Sequence, residues 1–437
     1  MITYSRKLSV CATPDVLVCG AGCAGIGAAV AAARLGARTM VVERCGFAGG
    51  FFTAIIGSAF DGFVDGATGR PAVGGVVFEM LERMGVIGKG QGLNLCYNVN
   101  GELGEVEKHP GWLVPKCDPE RFKRAADSIL QESGISVLYH TQVADVVTQH
   151  GRIDAVVVSN KAGLVAIRPK VVIDCTGDGD VAAWAGAPFE LKDPLQPMSL
   201  HFRIMNLRPT FELRRKCSAV LEEAFRAGRI GLYGGPYLAS FAPNEVYFNA
   251  VRIPANGTVP EDFTRVEIEG RKDAWRMFEL WKGELPEFKD SYFMTSGPVA
   301  GARETRRILG QYILTEEDIL QSRRFEDVVV LGAWRLDRHP NAAGYHPETY
   351  VPPYDIPYRT LLPQKIDNLL VAGRCHSATS GALASSRVTA TAMGMGQAAG
   401  VAAALAVAGH NSPQEVKVGQ LQDKLLQQGA ILSMENS

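Results

Sequence analysis

Apolar positions change their period several times along the chain. Residues 15–19 (DVLVC) form a short unbroken apolar run, the pattern of a strand buried on both faces. A glycine turn follows, then a helix rich in small apolar residues, then a second apolar run at 38–42 that ends at Glu43. Two more apolar runs break at glycine: VVIDC before TGDGD, in residues 171–180, and IDNLLVA before GRCHSAT, in residues 366–379. Residues 117–134 are amphipathic at helical spacing, with Asp118 as N-cap, Pro119 at the first helical position and Gly134 after the end. Residues 135–175 read as short strands with turns at His150-Gly151 and at 161–163. Residues 61–115 are glycine-rich and irregular. Residues 187–297 are richer in proline, aromatics and charge, and residues 412–429 form a polar-faced helix with a serine cap.

The first turn carries chemistry. Gly20-Ala21-Gly22-Cys23-Ala24-Gly25 is G-x-G-x-x-G between a strand and a helix. Gly20 permits the turn, Gly22 admits a pyrophosphate and Gly25 lets the helix lie close to the sheet. The helix N-terminus offers unpaired N–H groups and about half a positive charge to phosphates. Glu43, at the end of the second strand, is placed for the two ribose hydroxyls and disfavours a 2′-phosphate, hence NADP.

Composition removes other classes. The 437 residues suggest two domains, and 45 basic against 46 acidic residues without a basic stripe argue against a nucleic-acid partner. Nine cysteines stand at irregular spacing with no C-x-x-C, which excludes a disulfide framework, a zinc ribbon, an iron–sulfur cluster and attached haem, and suits a reducing cytoplasm. The N-terminal residues lack the apolar stretch of a signal peptide. Residues 388–408 are Ala, Gly and Thr with Gln397 inside and little Leu, Ile or Phe, so a buried helix is expected rather than a membrane span.

Gly49-Gly50, with Thr53 nearby, and the glycine breaks at 177 and 373 add three further approaches to the ligand crevice of a parallel sheet. Three glycine-ended strands from distant parts of the chain suit a long ligand such as FAD. The stretches DVLVCGAGCAGIGAAVAAARLGA, ERCGFAGG, VVIDCTGDGDVAAWAGAPFE, GARETRRILGQYILTEEDI, YDIPYRTLLP, IDNLLVAGRCHSAT and AMGMGQAAG span residues 15–400. On these motifs the chain resembles the FAD-dependent oxidoreductases of the glutathione-reductase structural class, on the branch related to fumarate reductase and succinate dehydrogenase flavoproteins.

The resemblance implies an α/β fold: a Rossmann-like FAD-binding domain with an inserted β meander, plus a discontinuous α+β substrate or cap domain. The expected layout is FAD-binding domain in 1–186 and 301–410, substrate domain in 187–300, and a peripheral helix in 411–437. It implies noncovalent FAD held by Gly20, Ala21, Gly22, Ala24, Gly25, Glu43, Arg44, Gly49, Gly50, Thr53, Thr176, Gly177, Asp178, Gly373, Arg374 and Ser377, with Val143 meeting the adenine through its backbone. Cys19 and Cys23 are expected to be small apolar fillers. No disulfide redox pair, second dinucleotide fingerprint or built-in electron relay is legible, so an external electron donor or acceptor is expected.

For the chemistry, residues 302–308 (ARETRRI) are expected to start a helix with Arg303, Arg306 and Arg307 on one face. Arg303 would bind a substrate anion or carbonyl, with Glu304 orienting it. His339, His346, Tyr354 and Tyr358 lie in a proline-rich loop over the flavin that presents one acid/base group. The two histidines lack a visible carboxylate partner, and no metal is expected. His201 is a strand residue that can face the pocket. Ser385, Ser386 and Arg387 are expected where the small-residue helix begins, packed close to the sheet, with Arg387 near the substrate. Cys375 and His376 flank the flavin. A small polar organic substrate exchanging hydride with flavin N5 follows as the leading reading; a C=C reductase and a non-redox flavin protein are the alternatives.

Overall fold

The computed structural model describes residues 2, 5–86, 117–242 and 244–436. Its centre is a five-stranded parallel sheet in the order Leu369–Val371, Val171–Asp174, Val16–Cys19, Thr39–Val42, Ser136–Leu138. The three inner strands are four residues long and buried apart from the half-buried Met40, so each reads as a short apolar run rather than an alternating one. Cys19 pairs with Asp174 and Val42, and Asp174 with Val371. This register brings the three glycine-bearing strand ends to one edge of the sheet, outside its C-terminal side.

An antiparallel meander of Gln142–Gln149, Arg152–Asn160 and Gly163–Ile167 follows the last parallel strand, and Val10–Ala12 adds to it in parallel. The turns at 150–151 and 161–162 fall where the sequence places them. A second sheet, Tyr233–Ala239, Glu245–Val251, His201–Met205 and Tyr292–Ser296, is wholly antiparallel. The helices Phe211–Arg226 and Pro260–Glu284 contribute to its separate core, where Phe202, Phe248 and Trp281 stack and Phe288 lies tilted against Trp281. Pairing puts His201, Arg203, Tyr237, Tyr247 and Asn249 together on the opposite face. Ser199 and Gly301 exchange backbone hydrogen bonds (3.0 and 2.8 Å), closing this excursion at its root. The architecture is α/β, a Rossmann-like sheet with an inserted meander and an α+β unit.

The small-residue tract departs from expectation. Ser385 and Ser386 end a short helix, Ser380–Ser386, and a new helix, Thr389–Gly409, starts after the break at Arg387 and Val388. Its main partner is the helix Cys23–Arg34 rather than the sheet. A Cβ on Gly396 would lie 1.9 Å from the Ala24 carbonyl oxygen, one on Gly400 2.1 Å from that of Ala28, and one on Gly27 2.3 Å from that of Met393. The two backbones touch, and residue pairs 24/396 and 28/400 show that the helices run parallel. Thr389–Gly409 is the one described helix long and apolar enough to cross a membrane, and most of it is buried in the protein.

Three smaller expectations also change. Within the glycine-rich stretch a helix, Val76–Arg83, buries Val76, Val77, Met80 and Leu81, which are close enough in helical angle to form one apolar face; residues 87–116 of that stretch lie outside the described residues. The C-terminal element is split: Ser412 caps a short 3-10 turn, Pro413–Glu415, and the helix proper is Val418–Gln427. The loop at 335–359 ends in a strand, Tyr354–Pro357, paired with Val328–Gly332.

Gly396→Ala should therefore lower stability by about 1–3 kcal/mol, because a backbone carbonyl cannot yield as a side chain can. Gly419→Ala, where the added Cβ meets nothing, should leave it unchanged or raise it by up to about 1 kcal/mol. Denaturant unfolding of the two variants beside the parent protein checks both.

Candidate active site

The glycine turn sits where the first strand feeds the helix Cys23–Arg34. Gly22 is the N-cap, no side chain caps the helix, and its first turn is buried. Space around Gly22 is open, since a Cβ there would meet nothing within 4 Å. Buried, uncapped N–H groups facing open space make a phosphate cradle. The turn at 47–53 lies against it: the Gly49 N–H donates to Ala21 O (2.8 Å), and Gly50 faces the Gly22 Cα. Glu43 is fixed at the strand end, its carboxylate accepting from the Ala21 and Cys45 N–H groups (2.8 and 2.9 Å). Thr141 N donates to Glu43 O, which brings the start of the meander and the buried Val143 beside that carboxylate. Ala24 lies against Gly373, and Arg44 is exposed beside Glu43.

Not every residue named for the cofactor has a free group. The Thr53 hydroxyl donates to Ala48 O (2.9 Å) and closes its own turn, and Ser377 Oγ accepts from Gly310 N (3.0 Å). Cys19 and Cys23 are buried thiols in apolar surroundings.

The TGDGD turn is clasped by a residue that sequence reasoning passed over. Asp174, fully buried at the strand end, accepts from Thr176 N and Oγ1 (3.0 and 2.7 Å) and from Ala182 N (2.9 Å). Burial raises its pKa to about 6 despite these bonds. Gly177, with φ at +81°, needs a residue without Cβ, and Arg374 Nη2 lies 2.9 Å from where one would be. Arg374 bridges Asp178 (2.8 Å) and Thr305 (2.7 Å), and Arg306 bridges Asp180 (2.7 Å). The acids of this turn are thus answered by arginines.

Residues 302–306 are not helical, and Arg307–Ile308 pair with Phe189–Glu190 as a two-stranded ribbon. The three arginines diverge accordingly. Arg307 is buried between Glu304 and Glu190, so Glu304 orients Arg307 and not Arg303. Arg303 instead donates Nη1 to Pro197 O and Ser199 Oγ (both 2.6 Å) and reaches toward Asn249 Oδ1 (3.5 Å) on the second sheet.

Around Arg303 the structure gathers charge from distant segments. Arg387, at the helix break, has a side chain only 9% exposed; its Nη2 donates to Asp337 O (3.1 Å) and lies 4.0 Å from the Asp337 carboxylate. Arg252 donates to Ala342 O (2.6 Å) and reaches His346 Nδ1 (3.4 Å). Burial, then the neighbouring Arg387, lowers Arg303 to about 9, so it remains charged at neutral pH. Asp337 is the counter-charge. Burial opposes its ionisation, but His339 Nε2 (3.0 Å), His346 Nε2 (3.3 Å) and Arg387 hold it well below the usual carboxylate range. The two histidines therefore do share a carboxylate, contrary to expectation. One ligand atom from each of the three lies within 4.8 Å of the others, yet three guanidiniums around the same carboxylate oppose a cation and favour an anion.

His201 is buried beside this cluster. Its Nδ1 meets Tyr247 OH (2.9 Å), and burial lowers it to about 3, aided by Arg303. Phe51, from the turn after Glu43, stands edge-on to its ring at 6.0 Å. Cys375 and His376 point to different partners. The Cys375 thiol faces the Asp174 and Ala372 carbonyls and burial pushes it well up, while His376 Nε2 meets Ser386 Oγ (2.8 Å) and burial lowers the imidazole to about 3. Tyr354 OH meets Ser385, and Tyr358 OH donates to Pro413 O (2.8 Å), so neither tyrosine is free for acid/base work.

On the segments from Trp334 to His339 and from His376 to Thr391, five buried polar atoms have no partner among the described residues: Trp334 Nε1, His339 Nδ1, His376 Nδ1, Arg387 Nη1 and Thr391 Oγ1. They belong to segments joined by the contacts of Ser385 with Trp334, His376 with Ser386 and Arg387 with Asp337. Orphaned buried groups of this kind are completed by water, an ion or a polar ligand. With the open cradle at Gly22, they fit an extended cofactor with a phosphate middle and a polar ring. Asn249, Tyr247 and Arg252 were missed from sequence; the alternation in Glu245–Val251 marks the first two as sharing a face.

A sequence model of the family described as FAD dependent oxidoreductase matches residues 15–425. No curated protein sequence matches. Among solved structures, the myxobacterial chondrochloren halogenase, an FAD-dependent enzyme, superposes with a TM-score of 0.51 at 11% identity, covering 95% of this chain and 78% of its own. A geranylgeranyl bacteriochlorophyll reductase-like protein from Thermoplasma acidophilum gives 0.48 at 14% identity, with 94% and 82% coverage. A p-nitrophenol 4-monooxygenase from Pseudomonas putida gives 0.47 at 13%, with 95% and 85% coverage. At 11% identity the halogenase shows a shared fold and nothing further.

Asp174→Asn should release the cofactor from a folded protein, because the amide offers one oxygen where three donors converge. Flavin retained after gel filtration measures this. His201, His339 and His376 titrate near 3 in the folded protein against 6.5 when free. Unfolding lets each bind a proton, so stability present above pH 6.5 should be lost as pH falls toward 3, at up to about 1.4 kcal/mol per pH unit for each. Asp174 works the other way, since its raised pKa favours the fold as pH falls through 6 and partly offsets the loss. A pH series of thermal unfolding should show a falling midpoint from pH 7 to 5, and His376→Gln should flatten it.

Proposed function

The chain belongs to the FAD dependent oxidoreductase family, and from that premise we propose that it exchanges hydride between a small anionic organic substrate and noncovalently bound FAD. The observation behind the substrate charge is the cluster of Arg252, Arg303 and Arg387 around one carboxylate, with Arg387 Nη1 buried and unpartnered among the described residues.

Gly20, Gly22, Gly49, Gly50, Thr176, Gly177, Asp178, Gly373 and Arg374 would hold the phosphate and ribityl part, and Glu43 with Val143 the adenosine end. His376, Trp334 and Thr391 would meet the ring. When bound, FAD supplies a two-electron site that takes or gives hydride at N5. The protein's part is placement. Arg303 is braced by Pro197 O and Ser199 Oγ before any substrate arrives, so its remaining donors are presented without loss of side-chain freedom. Arg387 is braced by Asp337 O and keeps Nη1 for a ligand. Their mutual repulsion is relieved by an anion, which gives the site differential affinity for carboxylate-bearing molecules. The buried Cys375 thiol, raised by its surroundings, is a poor nucleophile and supports a noncovalent flavin. Electrons pass onward to an external acceptor.

The purified protein should be yellow, lose its colour into the supernatant on acid precipitation, and bleach anaerobically with a carboxylate-bearing substrate. Arg303→Ala should retain FAD and raise the half-saturating substrate concentration on the order of 10²-fold. A yellow protein that no organic acid bleaches, in either redox direction, would instead be a flavin carrier without turnover.

A further inference from the structure

We propose that His339, held by Asp337, is the base that takes the hydroxyl proton of a hydroxy acid as the protein oxidises it. This rests on the redox reading above and assigns it a direction, a proton acceptor and a substrate class.

The tautomer follows from the partners. The Asp337 carboxylate only accepts hydrogen bonds, so His339 Nε2 (3.0 Å) and His346 Nε2 (3.3 Å) both carry hydrogen. His346 Nδ1 accepts from Arg252 Nη2 (3.4 Å) and is occupied. His339 Nδ1 is then a lone pair, buried and without a partner among the described residues. The ring is fixed further by its backbone N–H donating to Gln196 Oε1 (3.2 Å). A carboxylate on one imidazole nitrogen and an open lone pair on the other is the arrangement that fixes a base's tautomer and steadies its charge after protonation. His376 also has a bare Nδ1, but its other nitrogen meets only Ser386, and no carboxylate stabilises an imidazolium there. His201 Nδ1 is taken by Tyr247.

The charges around His339 select the substrate. Arg303 and Arg387 face it from the loop before 307 and from the helix break, Arg252 from the second sheet, and Asp337, His346 and Glu348 from its own loop. Glu348 is paired with Arg335 (2.9 Å), and Asp61 faces Arg387 from the turn after Phe60, which leaves three guanidiniums against the two carboxylates of Asp337 and Asp61. That excess attracts a carboxylate and repels an ammonium, so a hydroxy acid is favoured over an amino acid. Burial, then Arg303 and Arg387, keeps the imidazole neutral, ready to accept a proton rather than to give one. A bound carboxylate offsets the arginines and strengthens the base when it is needed. In the step, the substrate hydroxyl proton passes to Nδ1 and the adjacent C–H leaves with its electron pair to the bound FAD. The C–O single bond becomes C=O, so the alcohol is oxidised by two electrons and FAD is reduced by two.

Two measurements decide it. With ¹⁵N-histidine-labelled holoprotein, His339→Gln identifies the signal, which should show the Nε2–H tautomer. Adding 2-hydroxyisobutyrate, a hydroxy acid with no C–H to lose, should raise the pH at which His339 titrates by at least one unit and leave His376 unmoved. Anaerobic bleaching by a panel of hydroxy and amino acids should respond to hydroxy acids, and His339→Gln should slow it 10²–10⁴-fold with half-saturation and FAD content unchanged. Asp337→Asn should slow bleaching and shift the tautomer together. An Nδ1–H tautomer, a titration that ignores the probe, or a His339→Gln variant that bleaches as fast as the parent protein overturns the base. Bleaching by amino acids alone overturns the substrate class, and a parent protein that no acid bleaches overturns the redox reading beneath both.

Discussion

The rest of the molecule depends on a helix–helix contact made without side chains. Glycines 27, 396 and 400 let the backbones of Cys23–Arg34 and Thr389–Gly409 meet, so the two helices cannot slide or rotate against each other. Because they run parallel, with Gly396 beside Ala24, the second helix begins seven residues earlier. That is two turns, or about 10 Å, beyond the level of the glycine fingerprint. One contact therefore fixes the spacing between the phosphate cradle and the orphaned polar groups at the helix break. A long cofactor needs that spacing constant, and a backbone contact holds it more rigidly than flexible side chains would.

Electrostatics then divides the space. Beside the glycine turns acids are paired with arginines: Asp178 has Arg374, Asp180 has Arg306, and Glu304 shares Arg307 with Glu190. These pairs tie the TGDGD turn to the segment that closes the second sheet, so the loop is held from both sides. A few residues further on the matching stops, and Arg252, Arg303 and Arg387 share Asp337. Burying excess positive charge is costly unless a ligand completes it, and this imbalance is what the proposed substrate charge rests on. The aromatic face of the second sheet, with Tyr247 and Phe51 around His201, borders the same region.

Interactions close in sequence were legible without coordinates. The strand–turn–helix–strand unit at 15–44, the capped helix Pro119–Glu132 and the meander turns are set by local rules of glycine, capping and period, and all formed as read. Residues 302–308 failed for the matching reason. Arginines at helical spacing suggest a helix, but each side chain has a different distant partner, Pro197 and Ser199 for Arg303, Asp180 for Arg306 and Glu190 for Arg307, and the backbone there is not helical. The small-residue composition of 385–391 suggests one helix, whereas the chain breaks at Arg387 and Val388, where the Arg387 side chain turns to Asp337.

The amino-acid sequence by itself determined the dinucleotide fold and the edge of the sheet where the cofactor elements meet, because glycine turns and buried strands act within a few residues. It also named Arg303, Arg387 and His339 singly. Only the tertiary structure decided that these three share one carboxylate, that Arg252 and Tyr247 join them, and that Asp174 clasps the turn beneath. Side-chain charge acts across space, and partners such as Arg387 and Asp337, fifty residues apart, leave no period in the chain for a reader to find.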